Sequence, residues 1–241
     1  MSARAFLKRL LRKSGYDVIR FNARSSPVAR RIHLLKHYGI TLILDVGAST
    51  GGYALDVRKN GYRGRIVSFE PLSSAFAILE QRARRDPHWD AVHAGLGAHA
   101  GTQTIHIAQN SESSSILGML SRHVEAYPES AYVGSEDITL HRLDDVFHRY
   151  HRPDDRVLLK IDTQGYERYV LEGAQTSLPH ITGIQVEMSL VPLYEGEHLL
   201  ADMVAYLEQR GYVLMSIEPV IDDPATGQLL QVDGLFFAPD R

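Results

Sequence analysis

The chain contains no cysteine, so disulfides and thiolate metal sites are excluded, and a reducing compartment fits. It has no apolar run long enough to span a bilayer. The basic N-terminus lacks a signal-peptide apolar core and cleavage site, which makes a cytoplasmic location the default expectation. Neither sign of charge dominates: 26 Lys and Arg stand against 29 Asp and Glu, for a formal net charge of −3. That balance gives no case for a nucleic-acid partner. Two nucleotide-binding signatures are also missing. No G-x-G-x-x-G follows an apolar run, and no Gly loop continues into Lys-Ser or Lys-Thr.

What is present is a chain of 241 residues, 44% hydrophobic and 23% charged, which suits one α/β domain with additions. The stretch Thr41-Leu-Ile-Leu-Asp45-Val-Gly47-Ala48-Ser-Thr-Gly51-Gly52-Tyr53 organises the reading. Its apolar run predicts a buried strand, and the small residues beyond it predict a tight turn into a helix. The pattern is D-x-G-x-x-x-G, on Asp45, Gly47 and Gly51. It resembles the first motif of class I methyltransferases that use S-adenosyl-L-methionine.

Three further strands end in acids. Arg65–Phe69 leads to Glu70 and Pro71, Val157–Ile161 leads to Asp162, and Gly183–Val186 leads to Glu187. Ligands of open α/β sheets bind beyond the carboxyl ends of the strands, and an acid about 20 residues past the first Gly turn grips a ribose diol. Glu70 therefore predicts a nucleoside cofactor without choosing between NAD and S-adenosylmethionine. Lys160 shares a strand face with Asp162 by the two-residue period.

Residues 1–24 predict a basic amphipathic helix, with Phe6, Leu7, Leu10 and Leu11 interleaved with Arg and Lys. The expectation is a helix on the domain edge with a solvated basic face; peripheral contact with an anionic membrane is the alternative. Residues 25–241 read as a single domain. Within it, 102–143 read as an inserted antiparallel hairpin carrying a lid, because the polar segment from Gln109 to Glu136 is too long for a plain loop. Ser73 or Ser74 is expected to cap the following helix, and Trp89–Leu96 to form one weak strand. Leu235–Ala238 is expected to be a final strand. His106, His123 and His141 lie near the lid.

With these pieces placed, the chain resembles the FkbM family of S-adenosylmethionine-dependent methyltransferases. The matching stretches are Asp45–Gly51, Phe69-Glu-Pro71, Ser113-Ser114-Ser115, Leu159–Glu167 with Leu171-Glu-Gly-Ala174, and Glu187 with Pro192-Leu-Tyr194. The resemblance implies a Rossmann-like class I fold: a seven-stranded, mostly parallel sheet with helices on both faces and a reversed C-terminal hairpin. It implies methyl transfer to a hydroxyl of a glycan, a lipid-linked saccharide or a secondary metabolite. Carried over, Asp45, Gly47, Ala48 and Gly51 line the methionine end of the cofactor, with Tyr53 following. Glu70 and Pro71 bind the ribose side, and Asp162 stands beside the sulfonium. Ser114, Ser115 and Tyr194 belong to the substrate and lid region. Asp162, Glu187 and, if its pKa is depressed, Lys160 are the candidate bases for a hydroxyl proton. A divalent metal on Asp162 and a second carboxylate is chemically possible, with no decisive ligand cluster to indicate it. An NAD-dependent oxidoreductase and a catalytically silent cofactor-binding domain are the other readings.

Overall fold

A computed structural model describes residues 3–239. Its elements in chain order are α1 (Ala3–Lys13), α2 (Pro27–His37), β1 (Leu42–Val46), α3 (Gly52–Lys59), β2 (Arg65–Phe69), α4 (Ser73–Ala83), β3 (Trp89–Val92), β4 (Gly95–Leu96) and β5 (Gly101–Ala108). There follow α5 (Ser121–Ala126), β6 (Tyr132–His141), α6 (Leu143–Tyr150), β7 (Val157–Ile161), α7 (Glu167–Glu172), β8 (Ile181–Ser189), α8 (Leu200–Glu208), β9 (Val213–Asp222) and β10 (Leu229–Phe237).

Seven strands make one sheet in the order β3-β2-β1-β7-β8-β10-β9. The pairs β1·β2, β1·β7, β2·β3 and β7·β8 are parallel, and β10 runs antiparallel to both β8 and β9. This is the expected mostly parallel sheet with a reversed hairpin, the class I methyltransferase topology. The order places β1 and β7 side by side at the centre, so the direction in which successive strands are added reverses there and a crevice opens above their carboxyl ends.

Each strand contributes alternate residues to two apolar layers. Leu42, Leu44 and Val46 join Leu159, Ile161 and the inner faces of α6, α7 and α8. Ile43 and Leu158 join Leu34, Ala54, Val57 and Leu79 from α2, α3 and α4. Burial on both faces explains why β1 and β7 read as continuous apolar runs. The same alternation puts Asp45 and Lys160 on the α3 side.

A second sheet of three strands, in the order β4-β6-β5, stands apart from the first. The expected single strand Trp89–Leu96 is in fact two, since its chain leaves the main sheet after Val92 and Gly95–Leu96 pairs with β6. A side chain at Gly95 would meet the Leu140 Cδ2 methyl at 2.6 Å, so the Leu140 side chain packs over the position that the glycine leaves open. The final hairpin is longer than the apolar pattern suggested. β10 starts at Leu229, because the polar residues Gln231 and Asp233 are inward-facing strand residues rather than loop.

Helix starts divide the expectations. Ser26 accepts from the Ala29 N–H and caps α2. α4 is capped by neither Ser73 nor Ser74: Leu72 holds the cap position with no side-chain bond, and the Ser73 N–H goes instead to Glu136. In α1, Leu10 is 55% exposed, and Lys8 and Arg12 pair with Asp17 at 3.4 and 2.8 Å. The side chains of Phe6 and Leu7 lie outside the described residues. Among the described residues, no helix is long and apolar enough to cross a membrane.

Candidate active site

The turn after β1 is built by close approach. Gly47 has φ +73°, and a Cβ there would lie 1.8 Å from the Asp162 carbonyl oxygen. The Gly47 and Ala48 N–H groups both donate to the Phe69 carbonyl. The ends of β1, β2 and β7 are thereby locked together. Gly51, at φ +89°, begins α3 against Trp89 and Leu79, which leaves no room for a side chain. Gly52 faces open space. Glu70 closes the turn from the next strand: its carboxylate accepts from the Ser49 N–H at 2.7 Å and the Leu72 N–H at 2.9 Å.

One rung below the carboxyl edge, a polar row crosses the sheet. Ser68, Asp45, Lys160 and Gln185 are neighbours in register. The Lys160 ammonium lies 3.2 Å from Asp45 Oδ1 and 3.4 Å from Asp162 Oδ2, and donates to the Gly47 carbonyl. Ser68 donates to Asp45, and Trp89 Nε1 donates to Ser68. At the far end, Gln185 accepts from the Tyr53 hydroxyl and donates to Asp233. A buried charge survives only when paired and hydrogen-bonded, and this row supplies the partners.

Above the row lies a cavity of about 620 Å³, with Gly47, Ala48, Glu70, Asp162 and Glu187 on its wall. The turn after β7 shapes its floor. Gln164 is a non-glycine residue at φ +55°, a conformation retained only where the surroundings determine it. Its amide donates to Asp162 at 2.9 Å and to Glu187 at 2.8 Å, and its carbonyl accepts from the Tyr194 hydroxyl at 2.6 Å. Glu167 accepts from the Thr163 and Gly165 N–H groups and pins the turn.

Electrostatics follow from burial. Desolvation pushes Glu70 and Glu167 up to about 7. It also raises Glu187 well above the usual carboxylate range, and Asp162, Glu167 and Asp233 push it further. Burial would lower the Lys160 ammonium, but Asp45, Asp162 and Asp233 outweigh it and hold its pKa above the ordinary lysine value. Lys160 therefore cannot serve as the expected base, which required the opposite shift. It is the structural counter-ion of the carboxylates.

The candidate residues divide clearly. Gly47, Ala48, Tyr53, Glu70, Pro71, Lys160, Asp162, Glu187 and Ser114 reach the cavity wall. Asp45, Gly51, Ser115 and Tyr194 stand behind it. Asp45 is spent on Lys160 and Ser68. Ser115 Oγ donates to the Gln164 main-chain carbonyl and Tyr194 to its side-chain one, so both brace the floor from behind. Ser114 is on the wall, but its hydroxyl is already engaged by the Ser111 carbonyl and the Ala108 N–H. Sequence reasoning missed Gln164, Gln185 and Asp233. Gln164 sits inside a motif that was recognised, and Asp233 faces Glu187 across the β8·β10 register. A polar residue interrupting a buried strand was the available signal.

The family model described as Methyltransferase FkbM domain matches residues 45–214. The chain belongs to the FkbM methyltransferase family. Methyltransferase sdnD of Sordaria araneosa is 26% identical over 193 residues, covering 70% of this chain and 73% of that protein. The crystal structure of methyltransferase FkbM from Methylobacillus flagellatus KT covers 81% of this chain at 16% identity and a TM-score of 0.47, and this chain spans 43% of its length. Magnesium protoporphyrin IX methyltransferase (ChlM) from Synechocystis PCC 6803, solved with bound SAM, covers 98% of this chain and 97% of its own at 11% identity and a TM-score of 0.48.

The methyl donor implied by the family is S-adenosylmethionine, and the residues present fit it. Ser49 Oγ is buried with no hydrogen-bond partner and lies on the cavity wall beside the Gly47–Gly51 turn. Glu70 keeps lone pairs beyond its two backbone bonds, and Asp162 offers a carboxylate whose side chain is 35% exposed. A sulfonium, an amino-acid end and a ribose diol each find a partner among these groups. No group of three or more His, Asp or Glu among the described residues is arranged to hold a divalent metal.

Proposed function

We propose that this FkbM methyltransferase transfers the methyl group to a hydroxyl oxygen of a glycan, a lipid-linked saccharide or a secondary metabolite. The observation that carries the reading is the pair Asp162 and Glu187, held by one Gln164 amide and opening onto the same cavity as Glu70. Bound S-adenosylmethionine supplies an electrophilic methyl carbon on positive sulfur. Glu70 would accept the ribose hydroxyls, and the unpartnered Ser49 Oγ would meet the amino-acid end where it lies against the Gly47–Ala48 turn. Asp162, on the same wall, would supply the charge that balances the positive sulfur. A hydroxyl acceptor must shed a proton as it is alkylated, and Glu187 takes that proton. Once ionised, a carboxylate raised by burial is a stronger base toward a hydroxyl proton than an exposed one. Gln164 fixes both carboxylates, so no reorganisation is needed during reaction.

The test is calorimetric titration of the protein with S-adenosylhomocysteine, with NAD in parallel, on wild type, Glu70→Ala and Glu187→Gln. The expected outcome is binding of the first ligand alone, loss in Glu70→Ala, and retained binding with lost methyl transfer in Glu187→Gln. Absence of S-adenosylhomocysteine binding by the wild type points to a silent domain and sinks the reading.

A further inference from the structure

The exposed apolar side chains of this protein are not scattered over its surface. Thirteen large hydrophobic residues stand exposed among the described ones, and nine of them fall in two stretches. Leu10, Tyr16, Val18, Ile19 and Phe21 lie on α1 and the segment that joins it to α2, with Tyr16 71% and Phe21 66% exposed. Val213, Met215, Ile217 and Val220 lie on β9, the edge strand of the main sheet. Single exposed hydrophobics need no explanation, but a concentration of them marks a surface that meets something.

Arg30 of α2 joins the two stretches. Its guanidinium donates to the Ala23 carbonyl at 2.9 Å and to the Ser216 hydroxyl of β9 at 3.3 Å. Charge singles out the first stretch as well. Residues 1–24 carry seven Lys and Arg against one Asp, a net +6 in a chain whose total is −3. Lys8 and Arg12 share that acid, Asp17, so a large positive excess remains, with Arg9, Lys13 and Arg20 all exposed. At the other end of the surface, Val220 also stands on the wall of the cavity. The apolar edge therefore runs from the attachment of the basic segment to the site.

We propose that the segment before α2 and the edge strand β9 together form a docking surface for an anionic membrane. Exposed apolar side chains interleaved with Lys and Arg match both layers of such a surface: the cations meet the lipid phosphates, and the apolar groups enter the headgroup boundary. A nucleic acid would reward the cations but leave Val18, Ile19 and Phe21 in water. A second copy of the chain is disfavoured on two counts. A two-fold contact sets a patch against itself, which would bring one positive segment onto another. Pro219 also removes a backbone donor from β9, a device that keeps edge strands from pairing with another chain.

The experiment is co-sedimentation of the full chain with vesicles of phosphatidylcholine, alone or with about 30% phosphatidylglycerol. Wild type is compared with Arg9→Gln/Lys13→Gln/Arg20→Gln, with Ile19→Ser/Phe21→Ser and with Met215→Ser/Ile217→Ser. Every one of these positions is exposed, so all variants are expected to melt within about 2 °C of wild type. Wild type is expected to bind the anionic vesicles alone and to be released as salt rises from about 0.1 M to about 0.5 M. Each Lys or Arg at such a surface is worth about fivefold in partition, so the triple variant binds about a hundredfold more weakly. Ile19→Ser/Phe21→Ser loses at least about tenfold and Met215→Ser/Ile217→Ser at least about threefold, since less apolar surface leaves water. Equal binding to neutral vesicles, no binding to either kind, or an unchanged partition in any of the three variants overturns the proposal. Two controls assign the surface elsewhere if it is misread. A concentration-dependent dimer in sedimentation equilibrium that Ile19→Ser/Phe21→Ser abolishes gives it to a second copy. Binding of a duplex oligonucleotide that the charge variant loses and the apolar variants keep gives it to nucleic acid. Either result overturns membrane docking.

Discussion

Replacing Gln164 with alanine tests the floor of the site most directly. The substitution removes three hydrogen bonds: two to carboxylates at 2.9 and 2.8 Å and one from the Tyr194 hydroxyl at 2.6 Å. Bonds to charged groups contribute about 1.5–3 kcal/mol each and a neutral one about 1 kcal/mol, with incomplete additivity inside a network. Glu187 keeps one weaker contact, Gln231 Nε2 at 3.2 Å, and Tyr194 keeps the Ser113 carbonyl at 3.3 Å. These residual partners bring the expected loss to about 3 kcal/mol, roughly 6–12 °C in melting temperature for a domain of this size. Backbone strain gives an internal control. Position 164 has φ +55°, where a Cβ costs roughly 1 kcal/mol. Gln164→Gly is therefore expected to be more stable than Gln164→Ala by up to about 1 kcal/mol, even though glycine is normally the more destabilising choice. The assay is urea unfolding at pH 7 with shared slopes. A loss below about 1 kcal/mol in Gln164→Ala, or a glycine variant less stable than the alanine one, refutes the reasoning.

Two further outcomes follow from the buried charges. Lys160→Met strands the Asp45 carboxylate at the centre of the sheet and is expected to cost about 3–5 kcal/mol, while Asp45→Asn with Lys160→Met recovers a large part; a double-mutant cycle by chemical unfolding reads the coupling, and additive losses count against the pairing. Glu167 stands at about 7 in the folded protein against an ordinary value of 4.5, so between those pH values the folded state holds a proton that the unfolded chain has released. Its contribution to stability therefore falls as pH rises from about 4.5 to 7, by up to about 3 kcal/mol. His123, lowered to about 4, acts in the opposite sense over an overlapping window, so the comparison to make is wild type against Glu167→Gln, whose urea midpoint should fall less between pH 5 and pH 7.5. An identical pH dependence in the two proteins rules the assignment out.

Much of this molecule follows from local pattern. Strands buried on both faces must be apolar throughout, so β1, β7 and β8 declared themselves. Small residues after β1 announce a tight turn at the sheet edge, and the Lys160-Ile-Asp162-Thr-Gln-Gly-Tyr-Glu167 run points to the family from sequence alone. The strand-end acids Glu70, Asp162 and Glu187 were legible because chain direction puts them at one edge. The longer extent of β10 was not, since Gln231 and Asp233 break an apolar pattern for reasons that lie on β8.

What only the tertiary structure decided is the division of labour among residues of the same type. Asp45 and Asp162 look alike in sequence, yet one is sealed against Lys160 and the other faces the cavity. Lys160 was open to reading as a base until its three carboxylate neighbours came together from separate strands. Ser115 and Tyr194 belong to the site as braces for Gln164, and His123 differs from the other histidines because folding buries it without a partner. Local sequence sets which groups a chain can offer. Burial and long-range pairing set which of them are neutralised and which stay available, because the free energy of a charge or a hydrogen-bonding group depends on neighbours that the chain supplies from far away.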